Sequence, residues 1–249
     1  MITFPDTMRL WRKRRNLSQL QLAVNADVSS RHVSFLESGR ARPSQTMVLR
    51  LGRTMNVPLA DQNQMLNAAG FAPHFTTQNW DDAAMVPVRQ AMQHMLSSHD
   101  PYPALALDRV WRITALNQSA GRLFAQMSIG EGDSLLDAMT GSVLPSFVEN
   151  WPQVAAATVH RLRVESNAQG GVKVLDQAAV VLSEFVQDEP DANSPVIPVV
   201  FRAGSLRLSL FTTLTQFGTA QDVTLDEMRI EHYFPMDEDS AAVLRNLAG

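Results

Sequence analysis

A chain of 249 residues has room for two modest domains, and an apolar fraction of 45% suits a folded protein rather than a disordered one. There is no cysteine, which excludes disulfides and thiolate metal sites. The N-terminal MITFPDTMRLWRKRR has no apolar core of signal-peptide length, and no stretch reaches the roughly twenty apolar residues of a membrane span, so a soluble, cytoplasmic protein without membrane contact is expected. The net charge of −4 is unevenly spread: residues 1–60 carry ten Lys and Arg against three Asp and Glu, a balance of +7. Residues 61–249 carry eleven against twenty-two, a balance of −11. That asymmetry reads as a basic module joined to an acidic module with another job.

In chain order, Asp6 is expected to cap a first helix that runs to Arg15, with Met8 and Trp11 inward and Arg9, Arg12, Lys13 and Arg14 on its other sides. Asn16 then falls where the chain leaves the helix in a left-handed conformation. Residues 17–39, LSQLQLAVNADVSSRHVSFLESG, read as two short helices at a fixed angle. Ser18 caps the first, with Gln21 in capping-box position, and Ser29 caps the second. Asp27 takes the left-handed position between them. Leu17, Leu22, Ala23, Ala26, Val28, Val33 and Leu36 supply a shared apolar face. Ser30, Arg31, His32, Ser34 and Phe35 remain on the outer face of the second helix, a set able to meet phosphates, base edges and a thymine methyl. The same pattern also suits a helical hairpin of an unrelated bundle. Pro43-Ser44 starts a fourth helix with Val48, Leu51 and Met55 inward; Pro58 opens a fifth, and Gly70 closes it.

From Pro73 to Ala84 the text is polar and without period, and is read as a linker. A helix over about Pro87–Ser98 follows, broken by HDPYP. The segment ALALDRVWRITALNQSAGRLFAQM then reads strand, turn at Asp108-Arg109, strand and helix, the last capped by Asn117. Helical text resumes at Leu144, is interrupted at Trp151-Pro152 and continues to Gln169-Gly170-Gly171; another helix spans about Val174–Val186. After the turn-rich loop DEPDANSP come three strands, PVIPVVFRAG, SLRLSLFTTLTQF and MRIEHYFPM. In the second, Leu206, Leu208 and Leu210 alternate with Arg207, Ser209 and Phe211, the period of a half-buried strand. The run Asp237, Glu238, Asp239 is most simply a solvated turn.

The string LSQ, then LA, VS, LESGR and PS resembles the XRE/lambda-repressor-like helix-turn-helix family over about residues 5–70. WRKRRNLSQLQLA, SSRHVSFLESGRARPS and the NAAGFAP ending are more narrowly similar to regulators with a MmyB-like C-terminal ligand-binding domain. The resemblance implies a multidomain chain: an all-α five-helix helix-turn-helix domain at 1–72, a linker at 73–84, and an α+β, PAS-like domain with an antiparallel sheet at 85–249. Asp27 departs from the broader family, which usually has Gly there. Double-stranded DNA is then the expected partner. Ser30, Arg31 and Ser34 would face base edges, with Arg31 bonding guanine or, nearly as well, phosphate. Phe35 would lie against a thymine methyl or on the preceding helix; His32 borders the surface as a spectator. Gln19, Arg40 and Arg42 would fix register on phosphates.

The acidic part offers no G-x-S-x-G elbow, no Walker loop and no complete dinucleotide turn, since Gly130-Glu131-Gly132 lacks a third glycine. The nearest histidines, His94 and His99, are five apart and do not share a helical face. A non-enzyme without metal or cofactor is expected. By resemblance, the ligand is small and apolar, of fatty-acid or acyl type, and Trp111, Phe124, Trp151, Phe201, Leu208 and Leu210 are the candidate wall. These same residues could simply fill a core. A carboxylate head would want Arg161, Arg163 or Arg207, each as readily a surface arginine. Two readings follow: a homodimer in which ligand changes the placement of two DNA-binding domains, or a ligand-free dimerisation or partner-docking module.

Overall fold

A computed structural model describes residues 2–186, 195–204 and 206–248. The chain forms two compact units: one of residues 1–78, 167–171 and 219–226, the other of 79–166, 172–218 and 227–249.

The first unit opens with five helices, α1 Phe4–Arg14, α2 Gln19–Asn25, α3 Ser30–Glu37, α4 Gln45–Thr54 and α5 Leu59–Ala68. Four start on a side-chain cap: Thr3, Ser18, Ser29 and Ser44 each accept from a backbone N–H in the first turn. Asp6 is therefore not the cap of α1 but its reciprocal partner. Thr3 stands in the extended conformation before the helix, and the Asp6 carboxylate reaches back to it three residues later. All five helices stop in the same way. Asn16, Asp27, Gly39, Asn56 and Gly70 adopt positive φ, and the N–H that follows each returns to the carbonyl five residues earlier, as Val28 does to Ala23 at 2.9 Å. Asn and Asp hold three of these positions because their short polar side chains tolerate the left-handed region.

Met8, Leu22, Val33, Leu36, Val48, Leu51 and Leu66 are fully buried in one core, together with Trp11. Phe75 and Val223 belong to the same core. The stretch 73–82 carries no helix, yet Thr76 Oγ1 and Gln78 N both donate to Asp222 Oδ2, at 2.8 and 2.9 Å. A one-turn helix, α12 Val223–Asp226 in chain order, follows, and its Asp226 carboxylate accepts from Leu59 N at 2.9 Å. The first turn of α5, whose own cap residue Pro58 has no side chain to offer, is thus capped from far along the sequence.

In the second unit, α6 Val86–Ser97, β1 Ala104–Leu107, β2 Ile113–Leu116, α7 Gln118–Ala125, α8 Leu135–Thr140, α9 Val143–Phe147, α10 Trp151–Ala168 and α11 Lys173–Ser183 precede β3 Val199–Ala203, β4 Leu206–Gln216, β5 Arg229–Pro235 and α13 Glu238–Ala248. Helix α10 leaves this unit at Ser166. The five strands form a curled antiparallel sheet in the order β2-β1-β5-β4-β3. Alternation sorts β1 between two cores: Leu105 and Leu107 join the large core, Ala104 and Ala106 the small one beneath Met92 and Leu96 of α6.

Three expectations change here. Trp151-Pro152 opens α10 instead of interrupting a helix, because proline's missing N–H costs nothing in a first turn. Asp237, Glu238 and Asp239 are solvated as expected, but Asp237 caps α13 and the other two open it: Asp237 Oδ1 accepts from Ser240 N at 2.7 Å, and its hydrogen bonds with Ser240 hold its pKa below the ordinary carboxylate value. Ser209 breaks the half-buried alternation of β4, since α13 covers it and Ser240 Oγ accepts from its N–H at 2.9 Å. The DEPDANSP loop lies outside the described residues except for Pro195.

Candidate functional site

Helix α3 presents Ser30 and Arg31 exposed at its N-terminal end, with His32, Ser34 and Phe35 half-buried beside them. None of the five is lost into the core, which takes Val33 and Leu36 from the intervening positions. The Phe35 ring carries two cations: the guanidinium carbon of Arg31 lies 5.1 Å from its centroid and that of Arg40 lies 6.0 Å away. Such contacts contribute about 0.5–1 kcal/mol each at an exposed site. Arg40 and Arg42 are exposed in the turn after α3.

The helix is fixed from behind by one buried carboxylate. Glu37, only 3% exposed, accepts from Arg12 Nε at 2.6 Å, Arg12 Nη2 at 3.0 Å and Gln19 Nε2 at 2.8 Å. Burial pushes its pKa up, but the bonds from Arg12 and Gln19 and the charges of Arg12 and Arg9 outweigh it and hold the carboxyl below its ordinary value. Gln19 is thus engaged within the fold by its side-chain amide.

The second site is a cavity of about 140 Å³ in the second unit. Helix α10 turns Val154, Ala157, Thr158 and Arg161 toward it, spaced as one helical face requires. Leu135 and Met139 from α8 and Leu144 from α9 line it as well, as do Trp111 and Phe124. From the sheet come alternate residues, Val199 and Phe201 of β3 and Glu231 and Tyr233 of β5, with Thr212 of β4.

Of the aromatic and leucine candidates, Trp111, Phe124 and Phe201 meet at this cavity. Trp151, Leu208 and Leu210 are buried in the large core and do not border it; Trp151 stands edge-on to Phe185 at 6.1 Å. Leu208 lines a smaller hollow that Phe201 shares. The three candidate arginines separate clearly. Arg163 is exposed beside Ser183, and Arg207 is exposed beside Glu149. Arg161 borders the cavity and is no surface arginine.

Its partners form a network that pattern reading missed. Arg161 Nε donates to Glu165 Oε1 at 2.8 Å, one turn on, and Nη1 pairs with Glu231 Oε1 at 2.6 Å. Glu165 Oε2 accepts from Trp111 Nε1 at 2.9 Å and is ion-paired with Arg229. The Arg161 guanidinium stands 4.3 Å over the Trp111 ring. Burial works against its charge, but Glu231 and Glu165 more than compensate and raise its pKa; Glu165 is lowered in turn, its own burial outweighed by Arg161 and Arg229. Burial and the Glu231 charge push the Tyr233 hydroxyl well above its ordinary value, so it stays a donor, 3.3 Å from Glu231 Oε2. The legible trace of this network was spacing: Arg161 and Glu165 four apart on a helix, and Arg229, Glu231 and Tyr233 on one face of a strand.

Among the described residues no three His, Asp or Glu side chains gather to hold a metal ion, and no helix is long and apolar enough to cross a membrane. A search of curated proteins finds no match to the chain. Two family models do match: a helix-turn-helix over residues 8–62, and the MmyB-like transcription regulator ligand binding domain over residues 88–247. These are families of regulators, not of enzymes. The longer match spans well over half the sequence, and with the exposed α3 and the walled cavity it places the chain in the family of DNA-binding transcription regulators that carry a MmyB-like ligand-binding domain.

Proposed function

We propose that this regulator binds its operator as a homodimer through α3, and that an apolar ligand of acyl type in the α10 cavity shifts the affinity for DNA. Residues 1–72 carry the DNA-reading helices and 85–249 most of the ligand-binding and dimerising part; of the expected connection 73–84, residues 73–78 pack with the first unit, as do 167–171 and 219–226. The observation that carries the ligand reading is the cavity itself: a closed apolar core would have filled this space with side chains, as interiors generally do. Ser30, Arg31 and Ser34 are proposed to meet base edges, with His32 and Phe35 beside them; Arg40 and Arg42 are proposed to bond phosphates, as is Gln19 through its backbone N–H, its side-chain amide being held by Glu37. Trp111, Phe124 and Phe201 are the proposed aromatic wall. Regulation requires that the ligand bind one arrangement of the dimer better than another.

Native mass spectrometry of the purified full-length protein, followed by operator-binding titrations with and without an acyl ligand, tests this reading. A retained or added ligand that changes operator affinity by about tenfold supports it. A dimer with no bound mass, no thermal shift across a panel of acyl compounds and unchanged DNA affinity would make the C-terminal part a docking module instead.

A further inference from the structure

We infer that the α10 cavity selects a short acyl group presented as a neutral carbonyl, an ester or an amide, and discriminates against the free carboxylate. The inference rests on the sensor reading above and specifies its ligand.

The polar end of the cavity is already charge-balanced. Arg161 and Arg229 supply two positive charges, and Glu165 and Glu231 supply two negative ones, all within a single ion-paired cluster. Glu231 is 2% exposed, so water does little to screen it. A carboxylate entering beside Arg161 would be the third anion around one guanidinium and would leave the cluster with a net negative charge in a poorly solvated space. A neutral carbonyl carries no such cost.

It would also find a donor waiting. Arg161 Nε and Nη1 face Glu165 and Glu231, and Arg161 Nη2 and Glu231 Oε1 are both shut off from the space, so the donor comes from elsewhere on the wall. Thr158, a residue of the wall, carries a hydroxyl that can donate to a ligand carbonyl without displacing either glutamate. The Thr158 and Tyr233 side chains border the same space. Size sets the other limit. A cavity of about 150 Å³ is known to hold one benzene molecule, so the 140 Å³ here takes about six non-hydrogen atoms, the carbonyl group and its first few carbons.

The test is isothermal titration of full-length protein near neutral pH with hexanoate, methyl hexanoate and N-methylhexanamide, and with the dodecanoyl counterparts. The ester or amide should bind about tenfold or more tightly than hexanoate, and the twelve-carbon probes more weakly than the six-carbon ones. In Glu231→Gln, checked for folding by its melting curve, the preference should narrow or invert, because one anion has been removed. Hexanoate binding as well as its ester in the wild-type protein overturns this inference and leaves the sensor reading standing. No binding by any probe overturns both.

Discussion

Arg12 Nε and Glu37 Oε1 meet at 2.6 Å, tying the last turn of α1 to the last residue of α3, with both side chains nearly excluded from water. Removing one partner strands the other charge in the interior, which typically costs 3–5 kcal/mol. Arg12→Met and Glu37→Leu should therefore each destabilise the protein by roughly 3 kcal/mol in urea melts, with the double change costing less than the two singles together. The pair also carries a pH signature. The folded pKa of Glu37 lies below its ordinary value of 4.5, so its contribution is complete above that value and is lost as pH falls through the folded one. Melts from neutral to acid pH should show that loss in the wild-type protein and not in Glu37→Leu.

Arg31 and Arg42 are both exposed, but α3 carries only the first. Arg31→Ala should lower operator affinity by about 1–3 kcal/mol and relax base preference at one position. Arg42→Ala should weaken all sequences alike and reduce the salt slope by about one. Fluorescence anisotropy with a set of single-base operator variants at two salt concentrations separates the two effects. Equal behaviour of both variants would mean that α3 does not read bases.

The left-handed stop at Asp27 predicts a polarity of substitution. Asp27→Gly should be neutral or slightly stabilising, and Asp27→Val should cost about 1–2 kcal/mol, because a branched residue at φ of 51° meets the penalty that Asp partly escapes. Paired thermal melts decide the point.

Two distant positions complete the first unit and can be tested from the backbone outward. Gly170 has φ of 84°, and a Cβ there would lie 2.6 Å from the Trp11 ring. Gly170→Ala should lower stability by more than 1 kcal/mol, through both the conformation and the clash. Asp226→Ala, which removes the α5 cap, should cost about 1 kcal/mol. Gly121→Ala is the contrast: it sits inside α7 with open space around its Cβ position and should stabilise by about 0.5–1 kcal/mol.

Short-range signals made the first sixty-odd residues readable. Caps, left-handed stops and apolar spacing act over three to five positions, and Ser18, Ser29, Ser44, Asn16 and Asp27 all stand in the structure as that logic requires. Asp6 misled because Thr3 competes for the same cap and wins by position. The cavity was only half legible. Apolar alternation picks a face of a strand, yet it does not say whether that face meets packed side chains or open space, so Leu208 and Leu210 looked as eligible as Phe201. Arg161 was harder still. Its burial depends on Glu231, seventy residues away and on another element, and charged side chains are rarely buried without such a partner. Only the Arg161–Glu165 spacing hinted that the helix face was not simply solvated.

The presence of Val223 in the same core as Met8 and Leu22 has a consequence for synthesis. All five N-terminal helices leave the ribosome early, but Val223 and Asp226 follow only after β4 has been translated. Until then Phe75 and the first turn of α5 lack partners that Val223 and Asp226 later supply. A nascent chain therefore lacks these contacts to its helix-turn-helix unit until about residue 226 has been made.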